Sequence, residues 1–127
     1  MKQGILLFGH GSRDPRWREP IEAVARAVEA RAPHAAVRCA YLELAEPDFA
    51  SAVHELAEAG VQRLRVVPMF LGMGKHARED LPGLVDAARA NHSGLQIEVS
   101  GAVGESPEVI GLLAELALRP ATAARNP

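Results

Sequence analysis

A chain of 127 residues, 48% hydrophobic and 24% charged, has the length and composition of one globular domain with room for a real core. Its net charge of -2 and pI near 6.2 exclude the basic balance of a general nucleic-acid binder or of a protein drawn to anionic membranes. The single cysteine, Cys39, excludes an internal disulfide and fits a reducing, cytoplasmic compartment.

In chain order, Met1-Lys2-Gln3-Gly4 leads into the apolar run Ile5-Leu6-Leu7-Phe8, too short for a signal peptide or a membrane span, so a first strand is expected there. Apolar segments beginning near Gly4, Ala36, Gln62 and Leu95 alternate with stretches of helical periodicity, at a spacing of about thirty residues that suits successive βα units. In the first helix Ile21, Val24, Ala25 and Val28 form the apolar stripe. Its start is ambiguous, because Asp14-Pro15 and Pro20 are both helix-opening signals.

Cys39 lies within the second strand and reads as core. Pro47 is expected to open the second helix, with Phe49, Ala52, Val53, Leu56 and Ala57 facing the core and Gly60 ending it. The third strand is expected within Leu64–Phe70. The third helix shows Leu81, Leu84, Val85 and Ala88 on one face, with Asp80 and Pro82 in its first turn, which leaves His76 ahead of the helix. A strand around Leu95 to Ser100 precedes a fourth helix opened by Ser106-Pro107-Glu108 and carrying Val109, Leu112, Leu113 and Leu116. Residues 1–119 thus read as a single α/β domain. Residues 120–127, with two prolines and no apolar repeat, read as a disordered tail.

Four βα units with right-handed crossovers imply an open, doubly wound parallel sheet of four strands, flavodoxin-like, with helices on both faces. In the strand order 2-1-3-4 the crevice for a ligand opens between the carboxyl ends of the first and third strands. Two glycine-rich loops fall there: Gly9-His10-Gly11-Ser12-Arg13-Asp14-Pro15, and Phe70-Leu71-Gly72-Met73-Gly74-Lys75-His76.

Two imidazoles across one cleft can ligate a divalent transition metal or take up a proton near neutral pH. Glu43, at the end of the second strand, adds a carboxylate. Two histidines and one carboxylate suit iron, cobalt or nickel with open positions left for a substrate, whereas a closed zinc set is missing. Gly9, Gly11, Gly72 and Gly74 let a flat ligand approach the backbone. Arg13, Lys75 and Arg78 are candidates for substrate carboxylates, with Ser12 beside them, although such charges are usually only solvated. Asp80 either orients the His76 ring or caps the third helix. His34, His54 and His92 read as surface residues.

Other chemistries fit poorly. The first loop lacks the third glycine of a dinucleotide fingerprint, and no Walker lysine motif occurs. Gly9 stands where a histidine phosphatase needs arginine, and no serine sits in a nucleophile elbow.

Three ordered segments carry a family resemblance: the loop from Gly9 to Pro15, Ala40-Tyr41-Leu42-Glu43-Leu44-Ala45-Glu46-Pro47, and Pro68 to His76 followed by Asp80-Leu81-Pro82. In these the chain resembles the short, single-domain CbiX-type sirohydrochlorin chelatases. The resemblance implies a class II chelatase fold, a homodimer, and insertion of Co²⁺, Fe²⁺ or Ni²⁺ into a reduced tetrapyrrole in cobalamin, sirohaem or coenzyme F430 synthesis. The metal would be a substrate, and no organic cofactor would be required. The family's two active-site histidines fall on His10 and His76, and its strand-end acid on Glu43. The rival readings are a non-catalytic tetrapyrrole or metal carrier using the same histidines, and a flavodoxin-like nucleotide module, which the failed glycine fingerprint disfavours.

Overall fold

The computed structural model describes residues 1–120; the tail expected at 120–127 lies, apart from Pro120, outside them. Four strands, β1 (Gln3–Gly9), β2 (Ala36–Tyr41), β3 (Arg63–Pro68) and β4 (Gln96–Val99), form one parallel sheet in the order β2-β1-β3-β4. This is the order the βα alternation leads one to expect. Gly9 lies level with Tyr41, and Phe8 with both Ala40 and Pro68, so the ends of β1, β2 and β3 finish side by side.

The helices are α1 (Glu19–Arg31), α2 (Phe49–Glu58), α3 (Lys75–Asn91) and α4 (Pro107–Leu118). One sheet face packs Leu6, Phe8, Leu64, Val66 and Ile97 against the apolar stripes of α2 and α3. Leu6, Phe8, Val53, Leu56, Leu64 and Val66 are wholly buried, and each such side chain contributes about 1.5–3 kcal/mol of transfer free energy. The other face packs Leu7 and Tyr41 against Ile21 of α1. Phe8 meets Phe49 and Phe70 edge-on, at centroid distances of 5.6 and 6.2 Å, and so ties the β3–α3 loop to the core.

Five local expectations change. Both proline signals near α1 are used: Asp14 caps a 3-10 turn, Pro15–Arg18, by accepting a bond from the Arg16 amide, and α1 then starts at Glu19 with Pro20 in its first turn. The second helix opens after Asp48 rather than at Pro47, because the Asp48 carboxylate accepts from the Ser51 amide at 2.8 Å. That bond, and a second hydrogen bond from the Ser51 side chain, hold the Asp48 carboxyl below the usual range. Cys39, expected in the core, is half-buried on an edge strand, and burial is the main cause that raises its thiol pKa, with Glu22 adding to it.

The third helix begins at Lys75, several residues before Asp80 and Pro82, so His76 is in its first turn and not ahead of it. An internal proline removes one helix hydrogen bond and costs about 3 kcal/mol. Burial of Ala77, Leu81, Val85 and Ala88 offsets that cost. By contrast α4 buries none of its residues: Leu112, Leu113 and Leu116 of the expected apolar stripe are 41–55% exposed, Val109 is half-buried, and Ile110 next to it is 54% exposed.

Candidate active site

The site grows out of the ends of β1, β2 and β3. Beyond its last strand residue β1 stays zipped to the chain after β2: the Leu42 amide donates to Gly9 O at 2.9 Å, and the Glu43 amide to His10 O at 3.0 Å. These two bonds set the His10 and Glu43 side chains side by side. On the other flank the Met69 amide donates to Phe8 O at 2.8 Å, and the loop that follows delivers His76 on the first turn of α3.

Gly11 makes the close approach possible. Its φ is +106°, and a Cβ built there would stand 1.7 Å from Glu43 O. Only glycine fits both the backbone angle and the space. Gly9 is likewise used in packing, since a Cβ there would meet Ile21 and Trp17. Gly11 therefore serves the contact between loops and Gly9 the packing of Ile21 and Trp17, where the sequence suggested room for a ligand; a Cβ on Gly72 or Gly74 meets nothing within 4 Å, and those two do border open space.

The Glu43 carboxylate stands between the imidazoles. His10 Nε2 is 3.7 Å from Glu43 Oε2, and His76 Nδ1 is 3.8 Å from Glu43 Oε1. Both separations exceed a hydrogen bond, and all three side chains are 40–61% exposed, so the trio forms an open platform in contact with solvent. The other nitrogen of His76 lies 2.8 Å from Asp80 Oδ2, four residues on along the helix. His76 thus stands between two carboxylates, Asp80 on its Nε2 side and Glu43 on its Nδ1 side. The sequence left open whether Asp80 orients His76 or caps the helix; the earlier helix start makes it the former, because i and i+4 lie on one face. Among the described residues no group of three His, Cys, Asp or Glu stands ready to enclose a metal ion.

Ser12 and Arg13 lie on the loop after β1, and Lys75 and Arg78 at the start of α3. Arg13 and Lys75 are exposed, Lys75 lying 4.0 Å from Glu79. Ser12 Oγ accepts from the Asp14 amide, a turn-making bond. Arg78 donates to Met73 O and helps line a hollow of about 490 Å³ with Leu81, Val85 and Val99, so part of its donor capacity is used in holding the β3–α3 loop. His34 and His54 are exposed; the His54 ring lies 5.9 Å from that of half-buried His92. Sequence reasoning passed over Leu44, which follows Glu43 with φ +64° and is 48% exposed. Nothing in a leucine announces such a backbone.

Comparison with known proteins follows the same lines. The family model described as CbiX matches residues 4–119. The sirohydrochlorin cobaltochelatase of Methanopyrus kandleri is 40% identical over 81 residues, covering 64% of this chain and 57% of that protein. Its counterpart in Methanothermobacter thermautotrophicus is 37% identical over 94 residues, covering 72% and 65%. Against these curated relatives the matched stretch thus spans about three fifths of their length. Among solved structures, a cobalamin (vitamin B12) biosynthesis CbiX protein from Marinobacter aquaeolei VT8 superposes with a TM-score of 0.77 at 34% identity, covering 91% of this chain and 93% of that one. The sirohydrochlorin chelatase SirB of Bacillus subtilis subspecies spizizenii, solved in complex with cobalt, gives 0.78 at 27% identity over 91% of this chain and 49% of its own. In fold, in strand-end loops and in sequence over nearly its whole described length, the chain belongs to the CbiX family.

Proposed function

We propose that the protein is a sirohydrochlorin chelatase, a lyase-class enzyme that exchanges two pyrrole N–H protons of a reduced tetrapyrrole for one divalent metal ion. The observation that carries this reading is the Glu43 carboxylate set between His10 Nε2 and His76 Nδ1, at 3.7 and 3.8 Å, on an open platform at the strand ends. Two neutral imidazoles bind a borderline transition-metal ion loosely enough to pass it on, and the macrocycle nitrogens supply the ligands that the protein does not. Glu43 is then the base: as the metal–nitrogen bond forms, a pyrrole proton passes to the carboxylate and on to solvent, and a second follows. The Asp80 carboxylate, 2.8 Å from His76 Nε2, positions that ring beside the transfer.

The exposed cations Arg13 and Lys75, with the remaining donors of Arg78, suit the carboxylates on the rim of sirohydrochlorin. Cobalt is the preferred metal, on the strength of the relatives named cobaltochelatases; iron and nickel are the alternatives, serving sirohaem or other reduced tetrapyrroles. No organic cofactor enters the scheme, since metal–nitrogen bond formation supplies the driving force. We also propose a homodimer. The exposed Ile110, Leu112, Leu116 and Leu118 on α4 form an apolar surface of a kind that marks a protein interface, and a second copy would cover it. Among the described residues no helix is long and apolar enough to cross a membrane, and we assign the reaction to the cytoplasm.

The test is turnover. Mixed anaerobically with excess sirohydrochlorin and Co²⁺, the protein should metalate many equivalents of tetrapyrrole per chain above the uncatalysed rate. Saturation at one equivalent per site would favour the carrier reading instead, in which the same histidines bind without release.

A further inference from the structure

Each of the two loops that form the site holds an exposed leucine outward. Leu44 follows Glu43 directly, is 48% exposed, and is the one non-glycine residue with positive φ among the described residues, at +64°. An L-residue in that region places its Cβ against the following carbonyl, and a branched, apolar side chain gains nothing locally from the conformation as Asn or Gly would. Strain of this kind persists where the surroundings over-determine it, and it gathers at ligand clamps. Here the surroundings are the zipped backbones of the His10 and Glu43 loops, with Gly11 packed against Glu43 O.

Leu71 sits on the other loop, between β3 and His76, and is 69% exposed. Its exposure is not that of a loose loop. The Gly104 amide donates to Phe70 O at 2.9 Å, and Gly104 lies so close that a Cβ there would stand 1.9 Å from Leu71 O. The neighbouring Phe70 ring is fixed edge-on against Phe8. The backbone before it is anchored, and the leucine is left exposed.

We propose that Leu44 and Leu71 are apolar contact residues for the flat face of the macrocycle, flanking the platform on which His10, Glu43 and His76 work. This rests on the chelatase reading above and adds what that reading lacks: the histidines and cations address the metal and the rim carboxylates, whereas the faces of the ring are apolar and need apolar cover. A strained, exposed leucine costs stability in the free protein and gains contact area only when a ligand is bound.

The experiment compares the parent with Leu44→Asn, Leu44→Met, Leu71→Asn and Leu71→Met, reading direct titration of metal-free sirohydrochlorin by its visible spectrum, KM and kcat for cobalt insertion, and the melting temperature. Asn tolerates the left-handed region, so Leu44→Asn retains the fold and melts at or above the parent temperature. Each Asn variant should weaken sirohydrochlorin binding and raise its KM about tenfold with kcat within about twofold, and each Met variant should restore the parent affinity, in line with the loss and return of one buried apolar side chain. Unchanged affinity and KM in both folded Asn variants would overturn the proposal while leaving the chelatase reading in place. A parent that neither binds nor metalates sirohydrochlorin would overturn both.

Discussion

Replacing Gly11 with alanine separates the geometry of the site from its chemistry, because Gly11 carries no functional group. At φ +106° an alanine is strained by about 1–2 kcal/mol. The larger effect is spatial: a Cβ at 1.7 Å from Glu43 O forces the two loops apart by more than an ångström. That movement breaks the bonds from the Leu42 and Glu43 amides to Gly9 O and His10 O, each contributing about 1 kcal/mol. Together the losses are about 3–4 kcal/mol, a drop of about 10–15 °C in melting temperature for a domain of this size. The Glu43 carboxylate moves with its backbone, and a misplacement of about 1 Å at a reacting group costs about 100-fold in rate. The paired assay is thermal unfolding by circular dichroism with initial rates of cobalt insertion into sirohydrochlorin, using Gly72→Ala as the control, since its Cβ meets nothing within 4 Å. Gly72→Ala should melt within about 2 °C of the parent, a surface change worth no more than about 0.5 kcal/mol. A Gly11→Ala protein that melts and turns over like the parent would refute the account of how the two loops are held.

Other substitutions probe other links. Asp80→Asn should lower kcat about 10- to 100-fold with little change in melting temperature, because the His76 ring loses the negative charge beside its Nε2; unchanged kcat would make Asp80 incidental. Asp48→Ala removes the α2 cap and should cost about 1 kcal/mol at neutral pH, measured by urea denaturation. The Asp48 carboxyl titrates below its unfolded value, so the stability it contributes is present above the unfolded pKa and lost as pH falls through the folded one; the gap between parent and variant should close in acid. Tyr41 is 1% exposed, its hydroxyl has no hydrogen-bond partner among the described residues, and burial raises its pKa to about 12. Its contribution is whole below the unfolded pKa of about 10 and fades as pH rises through the folded value, so Tyr41→Phe should match or exceed the parent at pH 8 and lose less stability between about pH 10 and 12. Cys39, with its thiol pKa raised, should react with iodoacetamide more slowly than free cysteine at pH 7.5, as followed by mass spectrometry; equal rates would contradict its partial burial.

The strand order and the meeting of His10, Glu43 and His76 were legible in the sequence because they follow from alternation. Once four apolar runs are taken as parallel strands, topology brings the ends of β1, β2 and β3 together whatever the details of packing. The start of α3 was misread because local chemistry pointed the wrong way: Asp80 and Pro82 are good first-turn residues, and only burial of Ala77 and Leu81 keeps the helix running back to Lys75. The glycines were legible as special, but not for the right partner. Gly11 answers to Glu43 O, a neighbour more than thirty residues away that spacing alone does not reveal. The positive φ of Leu44 had no sequence signature at all. The apolar residues of α4 were legible, but their exposure was not, because periodicity does not say whether anything packs against a stripe.

The central claim is that the two imidazoles and the carboxylate between them carry out metal insertion. Its most direct test is the anaerobic rate of Co²⁺ insertion into sirohydrochlorin, followed in the visible spectrum for the parent, His10→Ala, Glu43→Gln and His76→Ala, each shown to be folded by its melting curve. The account predicts multiple turnover by the parent and a loss of at least about 100-fold in each variant; full activity in any one of the three, with the fold intact, would contradict it.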